Sequence, residues 1–163
     1  MGKGRKPKAT LRYYMRSREG GEIKAYLTYK GRRLYGGRTG IYTSTEVFAD
    51  FTTSGELKTL DYTAEQLDIS KLLQVISEAV LADINTHIKA GQEITPELFQ
   101  AAMEAGRAAA LQQRVIWDAN REWNKRVTEA AREGEQALAE FYRENPPFAT
   151  LYPKPKKERE DKA

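Results

Sequence analysis

The chain has 163 residues, no Cys, one His and a formal net charge of +4. That length suits one domain of moderate size, or a small domain with an appended helical part. The lack of Cys excludes a disulfide scaffold and Cys-based zinc sites, and no stretch has the apolar length of a signal-peptide h-region or a membrane span.

The charge is unevenly distributed. Residues 1–40 hold twelve Lys and Arg against Glu19 and Glu22, a balance of +10, so the remainder holds 15 basic against 21 acidic residues, or −6. A basic end on an otherwise acidic chain points to a polyanionic partner, most often nucleic acid. The plainer alternative is a solvated basic arm. Residues 1–8 (MGKGRKPK) carry four of these positive charges with Gly and Pro, and are expected to form a flexible basic arm.

Three short strands follow. A period of two over residues 10–17 places Leu11, Tyr13 and Met15 on one face and Arg12, Tyr14 and Arg16 on the other. Gly20 and Gly21 supply a turn. In the second strand, residues 22–29, Ile23, Ala25, Leu27 and Tyr29 share a face, with Lys24, Tyr26 and Thr28 opposite. After a Lys30-Gly31 turn, the third strand at residues 32–37 points Leu34 inward and Arg33 and Tyr35 outward. The outward set is thus Arg12, Tyr14, Arg16, Lys24, Tyr26, Thr28, Arg33 and Tyr35, read as a face with no acid inside its strands. Arg and Lys can contact phosphates or guanine edges; Tyr and Thr donate hydrogen bonds and pack on sugars or thymine methyl groups. A small sheet of this kind can lie in the major groove. The alternative is that the Tyr residues are cross-strand packing pairs and the Arg residues keep the face soluble.

Gly36-Gly37-Arg38-Thr39-Gly40 has the look of a phosphate loop but lacks the Gly-Lys-Ser/Thr ending of one. It is read as a bend leaving strand three, with Arg38 among the candidate nucleic-acid contacts. Residues 41–50 are expected to run as extended or turn structure, packing Ile41, Val47 and Phe48 beneath the sheet. Residues 51–60 form a polar loop with a short hairpin around Ser54-Gly55.

Helical patterning begins after Asp61. Thr63 and Gln66 form a capping box. Leu67, Leu72, Leu73, Ile76, Val80, Ile84 and Ile88 recur at helical steps, and Gly91 is a stop. The resulting helix, residues 64–90, would cover the apolar face of a sheet too small to stand alone. Thr95-Pro96-Glu97 starts a second helix with Leu98, Phe99 and Met103 as its apolar contacts, ending at Gly106 unless the Ala-rich stretch carries it on. Residues 107–144 read as one long helix with a sparse stripe of Leu111, Val115, Trp123, Val127, Leu138 and Phe141. Such a helix packs on its own chain, pairs with a partner or connects parts; Trp117 and Trp123 are read as packing residues. Asn145-Pro146-Pro147 ends it, Phe148, Leu151 and Tyr152 follow, and residues 153–163 form a charged tail.

The expected class is therefore α+β: a three-stranded antiparallel sheet packed on a helix, followed by a helical C-terminal region with a long amphipathic helix. The expected organisation is a basic arm at 1–8, an α+β domain at 9–103, a long helix at 104–145 and a Pro-rich charged tail at 146–163. Catalysis is not expected. His87 is the single histidine, which excludes a His-based triad or a multi-His metal site, and the carboxylates of residues 129–140 alternate with Arg on a solvated helix face. No cofactor or metal is expected.

The N-terminal two-thirds resembles the arm-type DNA-binding domain at the N-terminus of tyrosine recombinases (integrases) of Bacteroidetes phages and mobile elements. The residues that carry the resemblance are Leu11-Arg12-Tyr13-Tyr14-Met15-Arg16, Gly20-Gly21, the run from Ile23 through Lys30-Gly31-Arg32-Arg33, and Thr39-Gly40-Ile41. A helix over residues 67–88, the linker Gly91-Gln92-Glu93-Ile94-Thr95 and a short helix over 96–103 complete it. Two features depart from the family pattern: the Trp after the third strand is missing, with Phe48 or Phe51 as substitutes, and no Pro precedes Ile23. The resemblance implies a sheet in the major groove of duplex DNA, read by Lys24, Tyr26, Thr28, Arg32, Arg33 and Tyr35. It also implies no recombination by this chain alone, because the catalytic part of the family has no counterpart here. Two readings follow. One is a non-catalytic DNA-binding protein in the cytoplasm of a bacterial host cell, with a homo-oligomer or protein partner through helix 107–144 and no membrane. The other is a phage virion or assembly protein that reuses the fold for protein–protein contacts.

Overall fold

The structure, a computed structural model, describes residues 7–145. Most of the expected basic arm at 1–8 lies outside the described residues, as do Phe148, Leu151, Tyr152 and the charged tail.

Strands β1 (Thr10–Tyr14), β2 (Gly21–Tyr29) and β3 (Arg32–Thr43) form one antiparallel sheet in the order β1-β2-β3. The alternation of side chains sets the faces: Leu11, Tyr13, Ile23, Ala25 and Leu27 are buried, and their neighbours point outward. β1 is shorter than its pattern predicts and stops at Tyr14, leaving Met15 half-buried. β3 is longer. The glycine-rich segment read as a bend instead stays in the sheet as far as Thr43. It does so through two register shifts, one between Ala25 and Leu27 of β2 and one between Glu22 and Lys24. Gly36 and Gly40, at φ of 84° and 71°, take the left-handed conformations that these bulges require. The first bulge reverses the alternation, so Gly37, Thr39 and Ile41 are buried and Arg38 faces out.

Helix α1 (Thr45–Phe48) is one turn, capped by the Ser44 hydroxyl. The hairpin expected around Ser54-Gly55 is present, closed by a bridge between Phe51 and Leu57. Helix α2 (Ala64–Lys89) starts with the capping box of Thr63 and Gln66. Buried Gln66 does more than cap. Its amide also donates to the Val47 carbonyl at 3.2 Å and to Asp50 Oδ2 at 2.7 Å, fastening the α1 segment to α2. Gly91 and Gln92 close the other end by donating to the carbonyls of Ile88 and His87, a Schellman arrangement.

Helix α3 (Pro96–Glu133) opens under the Thr95 hydroxyl, which accepts from Leu98 N–H, and passes Gly106 without a break. Helix α4 (Glu135–Glu144) follows the kink at Gly134. The single helix expected over residues 107–144 is therefore two: it begins earlier, at Pro96, and is interrupted at Gly134. The expected boundary between residues 103 and 104 falls inside α3; the compact units divide at Gln112 and Gln113 instead.

The first unit, Met1–Gln112, holds the core. Ile23, Ala25, Leu27, Leu72, Leu73, Ile76, Val80, Ile84, Phe99, Ala102 and Met103 are each at most 1% exposed. Burying each large one contributes about 1.5–3 kcal/mol. α3 lies so close to the sheet that a Cβ on Gly37 would sit 2.7 Å from Phe99 Cζ, and so close to α2 that one on Gly106 would sit 2.9 Å from Val80 Cγ2. Tyr13 crosses the core to donate to the Leu73 carbonyl at 2.8 Å and meet Ser77 Oγ at 2.7 Å. Burial pushes its hydroxyl well above the ordinary tyrosine range, and the Ser77 bond only partly offsets this.

In the second unit, Gln113–Ala163, α4 packs back on the later turns of α3. Trp123 lies 5.9 Å from the Phe141 ring and 6.3 Å from Tyr142, and Arg126 covers Phe141 at 5.3 Å.

Candidate nucleic-acid interface

The outer face of the sheet is organised around three tyrosines, one from each strand. Tyr14, Tyr26 and Tyr35 lie with ring centroids 5.9, 5.8 and 5.1 Å apart. The first bulge helps to hold them: Gly36 N–H donates to the Tyr14 hydroxyl at 3.0 Å. Cations rim the cluster. Arg16 Cζ stands 5.9 Å from the Tyr14 centroid and Arg33 Cζ 5.6 Å from that of Tyr26, distances suited to cation–π attraction. Arg33 also donates to the Tyr35 hydroxyl at 3.5 Å. Arg12 lies opposite Tyr26 in the register and donates to Thr53 Oγ1 at 2.9 Å. Thr28 lies between Thr10 and Arg33, and Lys24 between Tyr14 and Arg38.

Nine of the ten residues expected from sequence, Arg12, Tyr14, Arg16, Lys24, Tyr26, Thr28, Arg33, Tyr35 and Arg38, thus share one face or its edge. Arg32 does not join them. It alternates with Arg33, shares the inward side with Leu34, and pairs with Glu93 of the α2–α3 connection at 3.6 Å.

The face is not free of acid. Glu22 alternates with Lys24 on the outer side of β2, and its side chain is only 8% exposed. It accepts from Gly40 N–H at 2.9 Å and from Arg38 Nε at 3.0 Å, and lies 3.5 Å from Lys24 Nζ. Burial pushes its carboxyl up, but the Gly40 bond, Arg38 and Lys24 outweigh that and hold it below the ordinary glutamate range. Tyr42, 62% exposed, completes this end of the face by accepting from Arg38 Nη2 at 3.4 Å. Sequence reading missed both residues. Glu22 had a visible signal in its two-residue spacing from Lys24. Tyr42 had none, because the strand was expected to end before it.

The arrangement offers Arg and Lys donors around a tyrosine surface. His87 sits apart near the end of α2, contacting Gln92 and lying 3.7 Å from Asp83. Among the described residues no His, Asp and Glu group could hold a metal ion, and no helix is long and apolar enough to cross a membrane. Comparison with protein-family models, curated proteins and solved structures gives no match.

Proposed function

We propose that this chain is a non-catalytic protein that binds double-stranded DNA through the outer face of its sheet. The observation that carries the reading is the tyrosine cluster of Tyr14, Tyr26 and Tyr35 set among Arg12, Arg16, Lys24, Arg33 and Arg38, with Glu22 as the only acid within the strands of that face. A purely solvated face would mix acids and bases along each strand. Here the cations are concentrated and the aromatic rings remain partly accessible, Tyr35 at 49%. Phosphate contacts by the arginines would supply affinity, and contacts to base edges would supply preference. Arg32, occupied by Glu93 on the other side of the sheet, has no part in this contact surface. The α3–α4 unit, with Tyr142 48% exposed, is suited to a second copy or a protein partner.

The test is a titration of duplex DNA over a range of salt. Binding that weakens steeply with salt, and weakens further in Arg33→Ala and Tyr26→Ala, is the expected result. No binding at low salt, together with a large stable homo-oligomer, would favour an assembly protein of a phage particle instead.

A further inference from the structure

Glu22 is an unusual neighbour for a surface that attracts phosphate. A carboxylate beside Arg38 reduces the local attraction for any anion, yet this one is nearly buried and held by three groups. Oε2 accepts from Gly40 N–H at 2.9 Å, Oε1 from Arg38 Nε at 3.0 Å, Oε2 lies 3.3 Å from that same nitrogen, and Lys24 Nζ is 3.5 Å away. Gly40, which supplies one of these bonds, lies in the second bulge. Arg38 is tied at its backbone and at its guanidinium. Its carbonyl accepts from Arg107 at 3.0 Å, and Thr39 next to it is tied to the Ile23 carbonyl at 2.6 Å. Its Nη2 donates to Tyr42. The side chain is nonetheless 57% exposed.

We infer that Glu22 is a positioning residue that holds the Arg38 guanidinium as a fixed fork for one guanine edge. The inference rests on the duplex-DNA reading above. An arginine needed only to neutralise a phosphate gains nothing from a buried carboxylate at its Nε. An arginine that must present two N–H groups to O6 and N7 of one guanine gains orientation, because the remaining hydrogens of Nη1 and Nη2 then project in a set direction. The Nε side is taken by Glu22 and one Nη2 hydrogen by Tyr42, and the other Nη hydrogens are left for the base.

The two roles make opposite forecasts for Glu22→Gln. Selection from a pool of short random duplexes with the full chain identifies the preferred site, and each base pair of that site is then replaced in turn. The wild type is expected to discriminate one G·C pair by about tenfold or more, and Arg38→Ala to lose that preference. Glu22→Gln is expected to lose most of the same preference while binding unrelated duplexes as tightly as the wild type or more so, since a negative charge is gone. If Glu22→Gln changes affinity for all duplexes alike and keeps the preference, the inference is wrong. Should that variant fail to fold, Arg38→Lys decides. It keeps the charge but lacks the fork, so retained preference at the pair overturns the inference and lost preference supports it. Wild-type binding with no preference at any pair overturns this inference alone. No wild-type binding at low salt overturns the DNA reading and this inference with it.

Discussion

Tyr13 and Glu22 do their work through groups that sequence patterning treats as incidental. Tyr13 has the alternation of a core residue, but its hydroxyl reaches the Leu73 carbonyl and Ser77 on α2, joining sheet to helix. Tyr13→Phe keeps the ring and removes those bonds. It is expected to cost about 1 kcal/mol, read as a lower urea midpoint at unchanged slope. Glu22 carries a pH dependence whose sign follows from its lowered pKa. In the unfolded chain it takes up a proton near the ordinary value of about 4.3, and in the folded chain only at lower pH. Between the two values the unfolded state binds more protons, so the stability from Glu22 is complete above the ordinary value and is lost as pH falls through the folded one. Glu22→Gln should flatten this acid limb in urea midpoints measured against pH; an unchanged limb would assign the acid sensitivity to other carboxylates.

Among the elements, the caps and the bulges differ in how far they could be read in advance. The Thr63–Gln66 box, the Thr95 cap and the Gly91 stop involve residues three to five positions apart, and all three are present where the pattern put them. The extent of β3 differs from the expectation, in which the glycines end the strand, and of the two courses open to the helix from Pro96 the continuous one past Gly106 is present. Gly36 and Gly40 instead serve bulges, and Gly37 and Gly106 leave room for α3 against the sheet and α2. Gly106→Ala tests the last point. In an isolated helix the change would stabilise by about 0.5–1 kcal/mol. Here the new methyl would meet Val80 Cγ2 at 2.9 Å and Ile76 Cγ2 at 3.2 Å. Overpacking of this kind costs about 1–3 kcal/mol, so net destabilisation is expected in thermal or urea melts. A stabilised variant would mean that the packing between the two helices yields easily.

For the molecule as a whole, the basic balance of the first forty residues meets a sheet that gathers Arg12, Arg16, Lys24, Arg33 and Arg38 on one side. Removing one phosphate-contacting cation should lower the slope of log affinity against log salt by about 1. Arg33→Ala is the first variant to measure, because Arg33 projects from the outer face and its partners are the tyrosines themselves. Among the described residues, all the candidate contacts and every buried core residue except Phe141 lie before residue 113. A chain ending at Gln112 is therefore expected to melt cooperatively and to keep the wild-type salt slope on duplex DNA. A non-cooperative melt would show that the α3–α4 unit supports the core.

The sequence alone determined which side chains face the core and which face out along β1, β2 and the start of β3, and where α2 and α3 begin. Those features follow from backbone periods of two and 3.6 and from caps closed within a few residues. The tertiary structure alone decided that the glycine-rich segment is a bulged strand, that α3 runs on past Gly106, that Arg32 pairs with Glu93, and that Glu22 holds Arg38. Each of these depends on which residues meet across the sheet or between helix and sheet. Glu22 and Arg38 are 16 residues apart and Gly37 meets Phe99 across the core, so no local period could place them.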